Sequence, residues 1–142
     1  MQLVSPESIA EVMALHPVPH TLAELDARVQ EGLPKSALRN CVESATSGVE
    51  AQHALLAQIV PAATYKRRRA RLTHAESERT ERLARIVATA SYMWGNREDA
   101  RVFLETPHPL LEGCKPLNVG LTELGARRVE ELLWQLFYGL PT

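Results

Sequence analysis

The stretch that decides the fold is VEAQHALLAQIVPAATYKRRRA, residues 49–70. Its pattern predicts two short helices, the first ending before Pro61 and the second having this proline at its first position. Only the apolar corner Ile59-Val60 joins them, and it is too short for a loop that would let the helices run antiparallel. Two short helices joined in this way are the outline of a helix-turn-helix, whose second helix lies in the major groove of DNA.

Basic residues are concentrated on and just after the second helix. They are Lys66, Arg67, Arg68, Arg69 and Arg71. The chain as a whole has 16 Lys and Arg against 17 Asp and Glu, so any attraction to DNA must come from this local run. We expect Thr64 and Tyr65 to approach base edges and the five basic residues to contact phosphates. A solvated helix end, where cations interact favourably with the helix dipole, is the alternative interpretation of the run.

The rest of the chain also predicts helices, because helix start signals recur and alternating β-branched residues are absent. Side-chain caps are expected at Ser5, Thr21, Ser47, Thr73, Asn96 and Thr122. The sequence therefore predicts an all-α protein. A boundary near residue 72 divides it into a helical DNA-binding part, residues 1–72 with the helix-turn-helix near 47–70, and a compact helical domain, residues 73–142.

The last predicted helix has a broad apolar face and one unusual residue. Its apolar positions recur at helical spacing and are Val129, Leu132, Leu133, Leu136 and Phe137. Gly125 lies inside the same helix, where it costs about 1 kcal/mol relative to alanine. We expect close packing against another helix to offset this cost.

Composition and motifs limit the possible functions of this 142-residue chain. The N-terminal residues show neither a signal peptide nor a transmembrane span, and Cys41 and Cys114 lie in no metal-type spacing. We therefore expect a cytoplasmic protein with two free thiols. The histidines are scattered, and neither a Gly-rich phosphate loop nor a catalytic carboxylate pair is recognisable. We expect no enzymatic activity, no metal site and no cofactor.

Three ordered pieces of the sequence resemble a known family. They are RRRARLTHAESER (67–79), WGNREDARVFLETPHPLLEGCKPL (94–117) and TELGARRVEELLWQLFYGLP (122–141). Together they resemble Xre-type antitoxins of bacterial RES–Xre toxin–antitoxin systems and their Xre/MbcA/ParS-like toxin-binding domain. The resemblance covers roughly residues 47–142 and is most specific over residues 76–140.

The resemblance implies a protein inhibitor that also binds DNA. Such an antitoxin binds a cognate RES-domain toxin, an enzyme that depletes NAD+, and occludes the toxin's active site with its C-terminal domain. It also binds its own promoter DNA and so represses its operon. A homodimer within a larger toxin–antitoxin complex is expected, with no membrane partner.

The expected toxin contacts lie on the last helix and beyond its end, because aromatic anchors and a short tail suit an interface. They are Arg127, Arg128, Trp134, Tyr138, Gly139, Leu140, Pro141 and Thr142. The alternative is a stand-alone helix-turn-helix regulator whose C-terminal part dimerises or senses a ligand. A neighbouring gene for a toxic enzyme that co-purifies with this chain would favour the antitoxin, and a pocket that binds a metabolite would favour the regulator.

Overall fold

The computed structural model describes residues 4–139, which form nine α-helices and a single 3₁₀ turn. The helices are α1 Pro6–Met13, α2 Leu22–Glu31, α3 Lys35–Ala45, α4 Val49–Ile59, α5 Ala62–Arg67, α6 His74–Trp94, α7 Arg97–Glu105, α8 Pro116–Val119 and α9 Glu123–Tyr138. The 3₁₀ turn, Pro109–Leu111, lies between α7 and α8. Extended pairing in this range is limited to two isolated bridges, and the predicted all-α class is confirmed.

The 21-residue helix α6 is the element on which most of the others pack. Its start is a capping box: Thr73 Oγ1 accepts a hydrogen bond from the Glu76 amide at 3.2 Å, and Glu76 Oε1 accepts one from the Thr73 amide at 2.8 Å. Gly95, at φ 81°, ends the helix in the left-handed conformation. Its buried stripe contacts helices on both sides, so α6 belongs to the packing of both halves of the chain.

Side chains cap most helices at the predicted residues. Ser5, Thr21, Asn96 and Thr122 each accept a hydrogen bond from an amide in the first turn. The cap predicted at Ser47 is wrong: α4 begins one residue too late for it, and Gly48, at φ 93°, holds the cap position without a side-chain hydrogen bond.

The segment after α5 is fixed to the start of α3. The Lys35 amide donates to Ala70 O and the Leu72 amide donates to Leu33 O, both at 2.9 Å. Gly32 is required beside this pair, because its φ is 101° and an added Cβ would lie 2.5 Å from Leu72 O. The basic run thus ends against a rigid part of the core.

Helices α8 and α9 pack closely against each other at Gly125. A Cβ on Gly125 would lie 1.7 Å from Val119 O, which confirms the close packing expected at this glycine. On α9, Val129, Leu132 and Leu133 are buried.

The prediction that Leu136 belongs to the buried face of α9 is wrong, since its side chain is 47% exposed. Its neighbour Phe137 turns towards Trp94, and adjacent helical residues point about 100° apart.

Candidate functional site

The predicted helix-turn-helix is formed by α4 and α5. The corner residues Ile59 and Val60 are buried, and Arg79 Nε of α6 donates to Ile59 O at 3.1 Å. Helix α5 is shorter than expected, because Pro61 is its N-cap and Arg68 its C-cap. The corner is therefore held rigidly to α6, and the basic run begins on α5 and continues beyond it.

Tyr65 packs inside the protein. Its side chain is only 5% exposed, and its hydroxyl donates a hydrogen bond to Lys35 O at 3.0 Å. The cationic groups of Lys35 and Arg39 lie 4.6 and 5.6 Å from the ring centroid. The structure thus gives Tyr65 a packing role between α5 and α3, and the base contact expected for it stays a prediction.

Arg68 is committed to an ion pair with a buried carboxylate. Its Nε and Nη2 donate to the two Glu76 carboxylate oxygens at 3.1 and 2.9 Å, and the Glu76 side chain is 7% exposed. The pair with Arg68 holds the pKa of Glu76 below its ordinary value, although burial acts in the opposite direction. Because Glu76 also caps α6, Arg68 joins the basic run to the longest helix of the fold.

Three basic residues of the run remain directed to solvent: Lys66, Arg67 and Arg69, here called the basic surface. Arg67 Nη2 donates to Thr64 Oγ1 at 3.3 Å, so half-buried Thr64 lies at the edge of this surface. Exposed Arg71 is less free, since its Nη1 donates to Gly32 O at 3.2 Å.

Arg39 is a basic residue beside this surface that the sequence did not point to. It lies on α3, far from the run in sequence, and only the packing of Tyr65 brings it close. The spacing of Lys35 and Arg39, one helical turn apart, was the available signal, but it is common on solvated helices.

Arg68→Ala is expected to lower the unfolding temperature at neutral pH. The unfolding temperature of the variant should also fall less steeply than that of the parent as the pH is lowered. A carboxyl group whose pKa is lowered by folding stabilises the protein above its unfolded pKa of about 4.3, and this contribution is lost as the pH falls through the folded pKa. Thermal unfolding followed by circular dichroism between about pH 2 and 7 measures both effects. Arg67→Ala is the matched control, since Arg67 is exposed and bonds only within α5. Equal melting curves for the two variants would contradict the role given to Arg68.

The residues predicted to meet a toxin fall into two groups on α9. Arg127 is exposed, whereas Arg128 Nη2 binds both Glu112 carboxylate oxygens at 2.8 and 2.7 Å and so holds the turn before α8. Trp134 is half-buried and stacks on Tyr138 with ring centroids 4.4 Å apart.

Tyr138, at 50% exposure, lies at the end of the helix. Gly139, at φ 62°, ends α9. Leu140, Pro141 and Thr142 lie outside the described residues.

The contact between α6 and α9 changes character along its length. It begins with ion pairs, Arg82 Nε to Glu123 Oε2 at 3.1 Å and Arg85 Nε to Glu130 Oε1 at 2.9 Å. It ends with the rings of Trp94 and Phe137, whose centroids are 4.8 Å apart in an edge-to-face arrangement. The paired residues follow the same order on both helices, so α6 and α9 run in the same direction, with a charged half and an aromatic half.

A cleft of about 510 Å³ opens beside the charged half. Its apolar wall comes from α1 and α2 and includes Ile9 and Leu25, and its polar wall carries Glu81 and Arg85 of α6. Burial raises the pKa of Glu81. Burial lowers the pKa of Arg85, but the surrounding glutamates outweigh it and the pKa lies above its ordinary value. The cleft is in the size range of small-molecule sites.

Residues 4–139 contain neither a group of three or more His, Cys, Asp and Glu side chains placed to hold a metal ion nor a helix able to cross a membrane. Both cysteines are free, Cys41 being buried and Cys114 exposed.

Two family models match the chain. Residues 24–85 match the antitoxin Xre-like helix-turn-helix domain, and residues 89–139 match the antitoxin Xre/MbcA/ParS C-terminal toxin-binding domain. The chain is thus similar to Xre-family antitoxins over both of their domains. The helix-turn-helix domain predicted from the sequence is confirmed, and the α4–α5 corner lies within it.

A curated relative supports the same family. The protein named antitoxin Xre from Pseudomonas putida is 36% identical to this chain over 85 residues, which cover 58% of this chain and 54% of the relative. The chain thus spans about half the length of the curated relative that it matches. The two matched domains meet between residues 85 and 89, inside α6, which agrees with the packing of that helix against both halves.

Proposed function

We propose that this antitoxin neutralises a cognate RES-domain toxin, an NAD+-depleting enzyme, by occluding the toxin's active site with its C-terminal domain, and that it binds its own promoter. The observation that carries the proposal is the separation of two exposed surfaces. The basic surface lies in the span matched to the helix-turn-helix domain, and the exposed end of α9 lies in the span matched to the toxin-binding domain.

The residues proposed to contact DNA are chosen by the burial and the hydrogen bonds of each side chain. Lys66, Arg67 and Arg69 contact phosphates, and Thr64 at their edge reaches base edges. Tyr65 and Arg68 instead hold the segment against α3 and α6, and Arg71 holds it against Gly32 at the end of α2. A homodimer presents two such surfaces to two half-sites, as expected for helix-turn-helix proteins.

For the toxin, the contacts are drawn from the end of α9. Trp134 and Tyr138 are the aromatic anchors, and exposed Arg127 supplies a positive charge. Arg128 acts through the Glu112 turn that it binds, and residues 139–142 enter the cleft of the toxin. In this proposal the toxin-binding unit begins at residue 73, where the capping box starts α6, and it shares the first part of α6 with the span matched to the helix-turn-helix domain.

The test is NAD+ consumption by the protein encoded beside this antitoxin. Its rate is measured alone, with the full chain, and with a chain truncated after Tyr138. The full chain is expected to stop the loss of NAD+ and the truncated chain to fail. If the neighbouring protein consumes NAD+ and the full chain neither slows it nor forms a complex, the proposal is wrong.

The cleft beside the charged half of the α6–α9 contact favours a second candidate function. A helix-turn-helix regulator that senses a ligand needs such a site between its DNA-binding part and the rest of the chain. A metabolite that changes promoter binding, together with no complex with the neighbouring protein, would favour this regulator.

A further inference from the structure

Aromatic residues are concentrated in the span matched to the toxin-binding domain. Of the seven Phe, Trp and Tyr residues in the chain, all except Tyr65 lie between residues 92 and 138. Trp94 is the centre of one group, with ring centroids 6.0 Å from Phe103 and 4.8 Å from Phe137. Aromatic side chains in excess at one end of a small domain are typical of a protein–protein interface.

This group borders a shallow pocket of about 270 Å³ between the end of α6, helix α7 and the turn that follows it. The pocket is lined by Trp94, Asp99, Val102, Phe103, Thr106 and His108. Phe103 is buried, while Trp94 is 38% and Val102 62% exposed. The pocket thus has a fixed apolar wall and an accessible apolar rim.

The rim has features that core packing does not require. Val102 is the one large apolar residue of α7 that is exposed, whereas the other exposed residues of that helix are the acidic Glu98 and Asp99. Asp99 lines the pocket directly, and no salt bridge to it is formed within residues 4–139. An apolar pocket with an acidic edge fits an apolar side chain that has a Lys or Arg beside it.

We propose that this pocket anchors the toxin by receiving an apolar side chain from the toxin surface, with a neighbouring Lys or Arg of the toxin paired to Asp99. The inference rests on the proposed function and adds a site that the end of α9 alone does not provide. All six lining residues fall within the matched toxin-binding span, and Phe137 of α9 contacts Trp94 at the edge of the pocket.

The experiment compares two exposed apolar residues of the same matched span. Val102→Asp places a charge at the pocket, and Leu124→Asp places one at the start of α9, where the side chain is 69% exposed. Affinity for the purified neighbouring toxin is measured by calorimetry. Val102→Asp is expected to weaken binding by about 30-fold or more, as for an interface hot spot, and Leu124→Asp by less than about threefold. Both variants are expected to melt like the parent chain.

A third variant, Asp99→Asn, removes the charge at the acidic edge of the pocket without changing the shape of the side chain. Asp99→Asn is expected to weaken binding by about fivefold at low salt and to reduce the dependence of affinity on salt, since a charge pair is lost.

Three results would overturn the inference, and they are distinguishable. If the parent chain does not bind the neighbouring toxin, the proposed function fails and the inference fails with it. If the parent, Val102→Asp and Leu124→Asp bind the toxin equally, the proposed function stands and the pocket is not the anchor. If Val102→Asp binds the toxin normally but converts a dimer into a monomer in light scattering, the pocket is an interface between two copies of this chain.

Discussion

Replacing Lys66, Arg67 and Arg69 together by alanine is expected to weaken promoter binding by about 100-fold at roughly 0.1 M salt. Each phosphate contact releases counterions and adds about 0.9 to the slope of log affinity against log salt, so the slope should fall by about 2.7. Fluorescence anisotropy with a labelled duplex from the operon's own promoter, repeated at several salt concentrations, measures both quantities. The fold should be unaffected, because all three side chains point to solvent.

The matched control removes the same charge from another part of the chain. Lys115, Arg127 and Arg128 are exposed and lie in the span matched to the toxin-binding domain. Their triple alanine variant is expected to bind promoter DNA within about threefold of the parent, because these residues make no phosphate contact in the proposed complex. Equal losses in the two triple variants would show that overall charge, and not the basic surface, attracts the DNA.

The predictable parts of this fold are those decided by short-range chemistry. Thr73 and Glu76 are three residues apart, so the capping box and the start of α6 could be read directly from the sequence. The corner at Pro61 is equally local, and its apolar residues are buried as a helix-turn-helix requires. The cap expected at Ser47 was wrong because a glycine at positive φ competes for the same position.

The roles of the site residues depend on contacts between distant segments. Tyr65 directly precedes the basic run in sequence, but its hydroxyl donates to the carbonyl of a residue 30 positions earlier and its ring lies against α3. Arg68 similarly serves the buried carboxylate of Glu76. Neither role follows from charge or helical spacing, because both require knowing which helix lies against α5. The sequence did not predict the pocket around Val102, because three separate segments of the chain form it.

Gly125→Ala is expected to destabilise the protein by about 3 kcal/mol, the upper range for forcing atoms into a packed core. Helix propensity alone predicts the opposite, a gain of about 1 kcal/mol. The reason is the approach of α8: the new Cβ would lie 1.7 Å from Val119 O and 2.8 Å from Thr122 Oγ1. That hydroxyl also caps α9 by accepting the Gly125 amide hydrogen bond at 3.0 Å, so relief of the clash would weaken the start of the helix as well.

Chemical denaturation, with thermal unfolding as a second readout, decides between these opposite signs. Gly48→Ala is the control: Gly48 has open space around its Cβ position, so only its φ of 93° opposes alanine. A backbone conformation of this kind costs a non-glycine residue about 1 to 3 kcal/mol, so the control should lose no more stability than Gly125→Ala. A rise in stability at Gly125 would mean that α8 can move away from α9 freely. In that case the packing of α8 against α9 would not be what holds in place α9 and the residues proposed to contact the toxin.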